Sequence, residues 1–502
     1  MKKTVIPIIA MAVLTAGCSK DYYDATAPDG GYYVSSNGKF MPGAGDEDPA
    51  GGKFDEVREN DFVEVAQEPV STFSVDADGA SYTFIKRYLN TYNGFYNGNY
   101  ARIEEFINYF PYNYDEPAGE DNVALNSEIG DCPWNPEHKI IRLGLKGKSL
   151  KESEIPVANF VFLIDVSGSM SGEDRLDLLK SGLLSMLPGM RPTDRVAIVT
   201  YSGSVKKVLE STPVSEHARI ESAIKSLAAN GSTAGGAAMK MAYEEAEKNF
   251  IEGGNNRIIM GTDGDFNVGE TSTDAILEMV QNYAKKGIYI TICGFGMGNL
   301  NDSMMEKVSN KGNGTYEYIG DNDDMTKVFV RERSKFVSVA NDCKIQVTFD
   351  PQTVSQYRLI GYENRKMANE NFDNDNEDAA EIGAGQTVTA LYEIVPAEKF
   401  EAGCKCARFD FRYKKNLGEE SILLGHDVTA EGGESDSFDL ACSLAAYGMV
   451  LRDSKYKGTS SYELAKSLAS AAAEVYDPYG YRADLVSLID ATSKNGDAYR
   501  KN

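Results

Sequence analysis

The sequence predicts an α/β protein built around a mostly parallel, doubly wound sheet of the Rossmann-like class. Between residues 158 and 338, apolar runs of strand length alternate with amphipathic stretches of helical periodicity. The run at residues 159–164, for example, is followed by a polar turn and an amphipathic stretch at residues 175–187. Strands that helices cover on both faces have this pattern, because neither side of the sheet meets water.

The elements of this central part follow one another in a regular order. The predicted strands cover residues 159–164, 195–201, 205–209, 257–261, 288–293 and 315–319. The predicted helices cover residues 175–187, 217–228, 233–250, 273–286, 301–309 and 323–336. In an open sheet of this class, ligands bind at the carboxyl ends of the strands. We therefore look for functional residues directly after the strands.

Three regions with their own patterns surround the central part. Residues 61–157 predict an α+β extension, with helical periodicity at residues 80–90 and 102–109 and a strand at 140–145. Residues 339–435 contain alternating runs that predict a small antiparallel β domain. Residues 436–502 predict a C-terminal helical region. Its predicted helices cover residues 437–452, 462–476 and 482–493.

The first residues predict an exported protein. Lys2 and Lys3 precede a short apolar stretch at residues 5–16, which is too short to span a hydrocarbon core that needs about 20 helical residues. The following Leu-Thr-Ala-Gly-Cys resembles a bacterial lipobox, with Thr15 where Leu is commonest, and this implies acylation of Cys18. Residues 1–18 are then a lipoprotein signal peptide. The alternative is an ordinary cleavable signal with a coincidental cysteine.

Residues 19–60 predict a flexible tether, because they are polar, rich in Gly and Pro, and lack apolar periodicity. The expected location is the bacterial outer membrane, with the folded part facing either the periplasm or the cell surface. No other segment is long and apolar enough to cross a bilayer. We therefore expect contact with the membrane through the lipid anchor only.

The charge of the chain excludes some partners. The 502 residues include 51 Lys and Arg against 76 Asp and Glu, which gives a net charge of −25. Nucleic acid is an unlikely partner, because phosphate binding needs a cationic surface. Electrostatic binding to a membrane surface needs the same property. Three His residues leave little room for His-based catalysis or His-rich metal sites.

Six cysteines follow Cys18, which is too few for a disulfide scaffold in a folded part of this size. Cys404 and Cys406 form a C-x-C pair that has no second pair at zinc spacing. We expect buried thiols or at most one or two bridges, rather than a metal site.

Three short motifs lie at the expected strand ends. Asp165, Ser167 and Ser169 form a D-x-S-x-S sequence after the first strand, Thr233 lies in the loop 231–236, and Asp263 belongs to a T-D-G sequence after a later strand. Carboxylates and hydroxyls are hard oxygen donors that suit Mg²⁺, and Mn²⁺ or Ca²⁺ are alternatives. The competing interpretation is that these residues only cap helices and form turns. Three motifs in this order favour a metal site.

The same motifs resemble the metal-ion-dependent adhesion site (MIDAS) of von Willebrand factor type A (VWA) domains. The resemblance places a VWA domain at residues 158–338. It implies that Ser167 and Ser169 bind the metal directly, that Thr233 binds it directly or through water, and that Asp165 and Asp263 hold the site. It also implies that the last coordination position accepts an acidic side chain of a partner protein.

Segments outside the central part extend this resemblance to the bacterial YfbK-like VWA lipoproteins. They are spread between about residues 65 and 495. The segments are STFSVDADGASY at 71–82, RIEEFINYFP at 102–111, CPWNPEH at 132–138, GYENR at 361–365 and EIGAGQTVTALY at 381–392. The family implies an exported, anchored protein with a VWA core, without a known activity.

These observations predict a lipid-anchored cell-envelope protein that binds an unidentified protein partner through a Mg²⁺ site. An alternative is a scaffold subunit of a periplasmic complex. A Mg²⁺-dependent hydrolase is less favoured, because Asp165 and Asp263 are the available bases and metal binding already explains them. The segment at residues 294–299 lacks the last glycine of G-x-G-x-x-G, and the sequence contains no P-loop or G-x-S-x-G motif. No catalytic residue is therefore assigned.

Overall fold

A computed structural model describes most of the chain. It covers residues 33–34, 40–41, 54–55, 57–75, 78–91, 101–231, 236–264, 272–298, 300–431 and 435–500. The chain divides into two compact units, residues 1–49 and residues 50–502. Within the first unit, strand β1 (Tyr33–Val34) pairs antiparallel with β2 (Phe40–Met41). The predicted signal peptide, including Cys18, lies outside the described residues.

The second unit contains sixteen strands and eleven helices in its described residues. The strands are β3 Val63–Glu64, β4 Val70–Ser74, β5 Val123–Asp131, β6 Lys139–Gly147, β7 Ala158–Asp165, β8 Arg195–Tyr201, β9 Val205–Pro213, β10 Asn255–Thr262, β11 Ile288–Phe295, β12 Tyr316–Ile319, β13 Ser338–Phe349, β14 Val354–Ile360, β15 Ile382–Gly383, β16 Thr387–Pro396, β17 Lys405–Lys414 and β18 Ile422–Thr429. The helices are α1 Ala80–Thr91, α2 Ile103–Asn108, α3 Leu176–Met186, α4 His217–Lys225, α5 Gly236–Lys248, α6 Thr273–Ala284, α7 Asp302–Lys311, α8 Asn322–Thr326, α9 Asp436–Leu451, α10 Tyr462–Val475 and α11 Tyr481–Arg500.

A six-stranded sheet forms the centre of this unit, in the order β12-β11-β10-β7-β8-β9. All neighbours are parallel except β9, which returns antiparallel beside β8. The β7 strand is buried along its whole length, and its alternate residues enter two apolar clusters on opposite faces. The predicted doubly wound α/β fold is therefore confirmed, and the carboxyl ends of β7, β8, β10 and β11 share one edge.

The last predicted helix of this part, residues 323–336, is wrong as one continuous helix. The chain forms α8, then a π-helical turn at Lys327–Arg331, and then a 3₁₀ turn at Arg333–Phe336. The Glu332 N–H donates to the Lys327 carbonyl, and the Lys327 ammonium bonds the Glu332 carboxylate at 2.7 Å. This pair stabilises the wide turn, and periodicity alone does not reveal such a contact.

Two further sheets join the N-terminal extension to the β-rich region. One has the order β15-β13-β17-β18 with β4 also paired to β13, and the other has the order β3-β14-β16-β6-β5. Phe73 of β4 lies opposite Ile345 of β13, and Leu145 of β6 lies opposite Val388 of β16. Together these strands enclose a single apolar core. Residues 61–157 and residues 339–435, predicted as two regions, therefore share their sheets.

A buried ionic cluster joins the extension to the central sheet's helices. The Arg102 guanidinium donates to both oxygens of Asp302, at 2.7 and 3.1 Å, and also bonds Glu105. Glu306 lies 3.5 Å from the same guanidinium. Arg102 is only 5% exposed, and its three acidic partners are buried as well. The cluster fixes α2 against α7.

Helix α1 forms a second connection, close to the functional edge of the sheet. The Lys86 ammonium bonds Asp324 of α8 at 2.8 Å. The Arg87 guanidinium donates to the Gly320 carbonyl at 2.7 Å and to Asp174 at 2.5 Å. Asp174 belongs to the loop after β7, and Gly320 directly follows β12. The extension therefore braces two loops at the carboxyl edge.

The remaining features bear on anchoring and redox state. None of the helices in the described ranges combines the length and apolarity needed to span a bilayer. The six cysteines after Cys18 are unpaired thiols, and all except Cys404 are buried. Burial raises the pKa of the Cys132 thiol to about 12, so this group stays protonated and unreactive at neutral pH.

Candidate metal centre

The loop after β7 folds three oxygen-bearing side chains towards one another. Asp165, the last residue of β7, is fully buried. Its Oδ1 accepts a hydrogen bond from the Ser167 N–H at 2.8 Å, which turns the chain sharply after the strand. The Ser167 and Ser169 hydroxyls lie 2.9 Å apart. The D-x-S-x-S sequence therefore gathers one carboxylate and two hydroxyls at the sheet edge.

The strand next to β7 contributes a second carboxylate. Asp263 follows β10 directly and is 2% exposed, and neither of its carboxylate oxygens has a hydrogen-bond partner among the described residues. The preceding Thr262 places its hydroxyl 3.4 Å from Asp165 Oδ2. Leaving buried charged oxygens without donors costs about 1–3 kcal/mol or more. A bound cation would satisfy both oxygens.

Burial at this edge disfavours the charged form of Asp165. Burial raises the pKa of Asp165 to about 6, and the Asp263 charge adds to this rise, although hydrogen bonds from Ser167 oppose it. Two buried carboxylates at one strand edge are unfavourable without a cation, because each has lost solvation and repels the other. A divalent cation between them would offset both effects.

The third motif lies partly outside the described residues. Thr233 itself is among residues 232–235, which the structure does not describe. The residues just before it are bonded to the first motif. The Asn230 N–H donates to the Val166 carbonyl at 2.7 Å, and the Gly168 N–H donates to the Gly231 carbonyl at 2.9 Å. These bonds bring Asn230 and Gly231 to the D-x-S-x-S loop.

The donors present fit a hard divalent ion. In the described ranges, no three His, Cys, Asp or Glu side chains form a possible metal cluster. The candidate site therefore consists of two carboxylates and hydroxyls, which suits Mg²⁺ or Mn²⁺ better than Zn²⁺. The unpaired oxygens of Asp263 are the observation that favours an ion over a purely structural turn.

Two residues of this site were missed from the sequence. Tyr201 ends β8 opposite Asp165, and its hydroxyl lies beside Asp165 and Thr262. Thr262 also accepts a hydrogen bond from the Gly264 N–H at 3.2 Å, which shapes the T-D-G turn. The threonine of T-D-G was a usable signal, whereas Tyr201 was hidden in an apolar strand. Both residues position the carboxylates.

The chain is similar to known proteins in its central and C-terminal parts. A family model described as von Willebrand factor type A domain matches residues 159–331, and one described as uncharacterized protein YfbK, C-terminal, matches residues 334–494. The chain is 38% identical over 472 residues to the uncharacterized protein YfbK of Escherichia coli (strain K12), covering 88% of this chain and 81% of that protein. The chain belongs to the YfbK family of bacterial VWA proteins.

Other similarities to this YfbK-family chain are more local. A von Willebrand factor model matches residues 48–142. Human inter-alpha-trypsin inhibitor heavy chain H3 is 32% identical over 168 residues, covering 31% of this chain and 18% of that protein. A solved structure described as von Willebrand factor type A from Catenulispora acidiphila is 16% identical and covers 76% of this chain and 91% of its own, with a TM-score of 0.43.

Family membership gives this chain a general functional class. VWA domains are typical of protein–protein interaction and adhesion, and they commonly bind a divalent metal. Proteins of the VWA and YfbK-like groups are generally not enzymes.

Proposed function

We propose that this protein is a lipid-anchored component of the bacterial cell envelope that binds a protein partner through a Mg²⁺-dependent adhesion site. The single observation that carries the proposal is the buried Asp263 carboxylate, whose two oxygens have no hydrogen-bond partner among the described residues. A group of this kind next to Asp165 and two serine hydroxyls calls for a cation. The partner remains to be identified and presents an Asp or Glu side chain.

Each residue of the proposed site has a distinct role. Ser167 and Ser169 bind the ion through hydroxyls that already lie 2.9 Å apart. Thr233 supplies a third hydroxyl from its own loop. Asp165 and Asp263 hold the site with their negative charges. When bound, Mg²⁺ supplies a coordination position for the partner's carboxylate.

The choice of neutral hydroxyls as ligands supports binding of an acidic partner. Hydroxyl oxygens solvate the ion without cancelling its charge, whereas a site built from four or five carboxylates would neutralise it. Two carboxylates only balance the charge of the ion. If they act through water, the ion keeps more of its attraction for an incoming carboxylate. The site then selects an acidic side chain.

Two other functions are weaker candidates. A scaffold subunit of a periplasmic complex would use the same metal site, but its partner would be another envelope protein. A Mg²⁺-dependent hydrolase would need a free base, but Asp165 and Asp263 are committed to the metal and Asp174, at the same edge, pairs with Arg87. We therefore propose no catalytic residue. Surface exposure, tested by protease treatment of intact cells, separates an adhesin from a periplasmic scaffold.

The proposed anchor gives a direct prediction. Cys18→Ser should move the protein from the membrane fraction to the soluble envelope fraction, because acyl chains on Cys18 supply the membrane affinity. Metabolic labelling with an alkyne fatty acid should tag the wild type and not the variant. Cys404→Ser, which changes a cysteine in the folded part, serves as the control and should stay in the membrane. Equal labelling of Cys18→Ser and Cys404→Ser would contradict the acylation of Cys18.

The metal-dependent binding is tested by capture from the native envelope. Photo-crosslinking on intact cells should give Mg²⁺-dependent adducts with the wild type, and EDTA should reduce them at least tenfold. Ser167→Ala removes one proposed ligand and should have the same effect without unfolding. Ser185→Ala makes the same change on the exposed end of α3 and should behave as the wild type. Equal adducts with and without EDTA would refute the metal bridge.

A further inference from the structure

A groove beside the candidate metal centre indicates a second chemical feature of the partner, in addition to the carboxylate that binds the ion. The groove has a volume of about 430 Å³ and lies between the β8–β9 hairpin and the segment that follows α4. We call it the hairpin groove. The residues that matter here are Val166, Thr200, Lys206, Val208, Asn230 and Gly231.

One end of the hairpin groove borders the candidate metal centre. Val166 and Gly231 both line it, and they are the residues whose carbonyls accept the hydrogen bonds joining the two metal-site loops. A partner segment with a side chain on the metal would therefore lie at the mouth of this groove. The groove offers that segment a continuous path away from the ion.

The other end carries a cation that has no counterion among the described residues. Lys206 is exposed, and it is the only ionisable residue among the described residues that line the groove. No ion pair or side-chain hydrogen bond is found for it within the described ranges. The adjacent Lys207, by contrast, bonds Glu245. Beside Lys206, Val208 leaves 38% of its surface exposed.

This arrangement is unusual for a chain with a net charge of −25. The open coordination position of a bound ion and the Lys206 ammonium would lie at the two ends of a groove whose described lining contains no carboxylate. Charge complementarity favours an acidic occupant, because like charges across an interface cost several kcal/mol whereas opposite charges steer association. Val208, two residues beyond Lys206 on β9, offers an apolar contact to such an occupant.

We propose that the hairpin groove binds an extended acidic segment of the partner, in which a second Asp or Glu contacts Lys206. This inference rests on the proposed metal-dependent function and specifies its ligand. Thr200 pairs with both Ile164 and Lys206, so Lys206 lies two strands from the β7 end. Two strand spacings are about 10 Å, and an extended peptide rises about 3.3 Å per residue. The second acid therefore lies about two to four residues from the metal-binding one.

Edge protection is the competing explanation for Lys206. Strand β9 is at the edge of the sheet, and lysines on edge strands prevent pairing between molecules. That role requires only a charge pointing to solvent. It predicts no preference for an acid at a fixed distance from the metal-binding residue, and this difference makes the two explanations separable.

An array of synthetic decapeptides tests the spacing. Each peptide has a Gly, Ser and Ala background with one fixed Asp, and a second residue, Glu or Lys, is moved from one to five positions away on either side. The intact protein is applied with Mg²⁺ or with EDTA. We expect Mg²⁺-dependent binding to peptides with Asp alone, and at least fivefold stronger binding when Glu lies two to four residues away on one side.

Lys206→Glu should remove that enhancement and transfer it to the peptides with Lys at the same spacing. Lys285→Glu makes the same charge change directly after α6, which packs near β11 and not near β9, and should keep the wild-type pattern. Binding to single-Asp peptides that shows no spacing preference, or a preference unchanged by Lys206→Glu, overturns the groove proposal alone. Absence of any Mg²⁺-dependent binding overturns the adhesion-site proposal and the groove proposal with it.

Discussion

Asp263→Asn should stabilise the metal-free protein and at the same time abolish its stabilisation by Mg²⁺. In the wild type, Asp263 places two buried carboxylate oxygens, unpaired among the described residues, beside Asp165. The amide removes one charge and provides a donor for the Asp165 carboxylate. Removing a buried unsatisfied charge is worth about 1–3 kcal/mol, which for a folded unit of this size corresponds to a rise in melting temperature of about 1–3 °C.

The same substitution should also remove the stabilisation that Mg²⁺ gives to the wild type. A ligand that binds only the folded state stabilises it by about 2.7 kcal/mol at 100 times its dissociation constant. The amide introduced by Asp263→Asn would lack the charge that holds the ion, so the variant should melt at the same temperature in Mg²⁺ and in EDTA. A purely structural role for Asp263 predicts the reverse for the metal-free protein, namely destabilisation.

Thermal melts of wild type and variant in EDTA and in Mg²⁺ measure both effects. Asp177→Asn makes the same chemical change on the exposed surface of α3, where Asp177 is 66% exposed and 3.9 Å from Lys180. It should change neither melt. A Mg²⁺ shift that persists in Asp263→Asn, or a lower melting temperature of this variant in EDTA, would refute the assignment.

Arg102→Met should destabilise the fold more than any other single change considered. Arg102 is the cation of a buried cluster in which Asp302, Glu105 and Glu306 supply the negative charges. Despite the cost of burial, the three carboxylates hold the pKa of Arg102 well above its ordinary value. Methionine fills a similar volume but removes the cation beside Asp302 and Glu105, whereas Glu306 keeps Arg365 at 3.6 Å. Breaking a buried ion pair in this way costs about 3–5 kcal/mol.

Chemical denaturation monitored by circular dichroism should show an earlier transition for Arg102→Met. The exposed pair of Arg219 and Glu216 gives the control, because exposed pairs contribute about 0–1 kcal/mol, and Arg219→Met should have little effect. Adding Asp302→Asn to Arg102→Met should recover part of the loss, since it removes one of the unpaired charges. A double variant less stable than Arg102→Met would contradict this account.

The sequence predicted the strands of the central sheet, but it did not predict how the strands of the other two sheets pair. Continuous apolar runs such as β7 identify strands that are buried on both faces. Alternation in β6 and β16, however, predicts only one apolar face for each strand, and it does not show that these two strands, which are distant in the chain, pair with each other. For this reason the sequence did not predict that residues 61–157 and 339–435 share their sheets.

The candidate site was predictable because its residues follow strand ends. Asp165, Ser167 and Ser169 are close in sequence, and the parallel register of β7 and β10 brings Asp263 to them. The sequence contained no sign that Asp263 is buried without a donor among the described residues, because that depends on packing around the turn. Lys206 also passed unnoticed, since a lysine on an edge strand is common and its surroundings are defined only in three dimensions.

The central claim is that a divalent ion held at Asp165, Ser167, Ser169, Thr233 and Asp263 binds a carboxylate of the partner. Pulsed electron paramagnetic resonance of the protein loaded with Mn²⁺ tests it directly, with a peptide whose Asp carboxylate is labelled with ¹³C. We predict a ¹³C hyperfine coupling to the ion in the wild type, and loss of the bound Mn²⁺ signal in Asp263→Asn. Mn²⁺ bound to the wild type without any ¹³C coupling at saturating peptide would contradict the account.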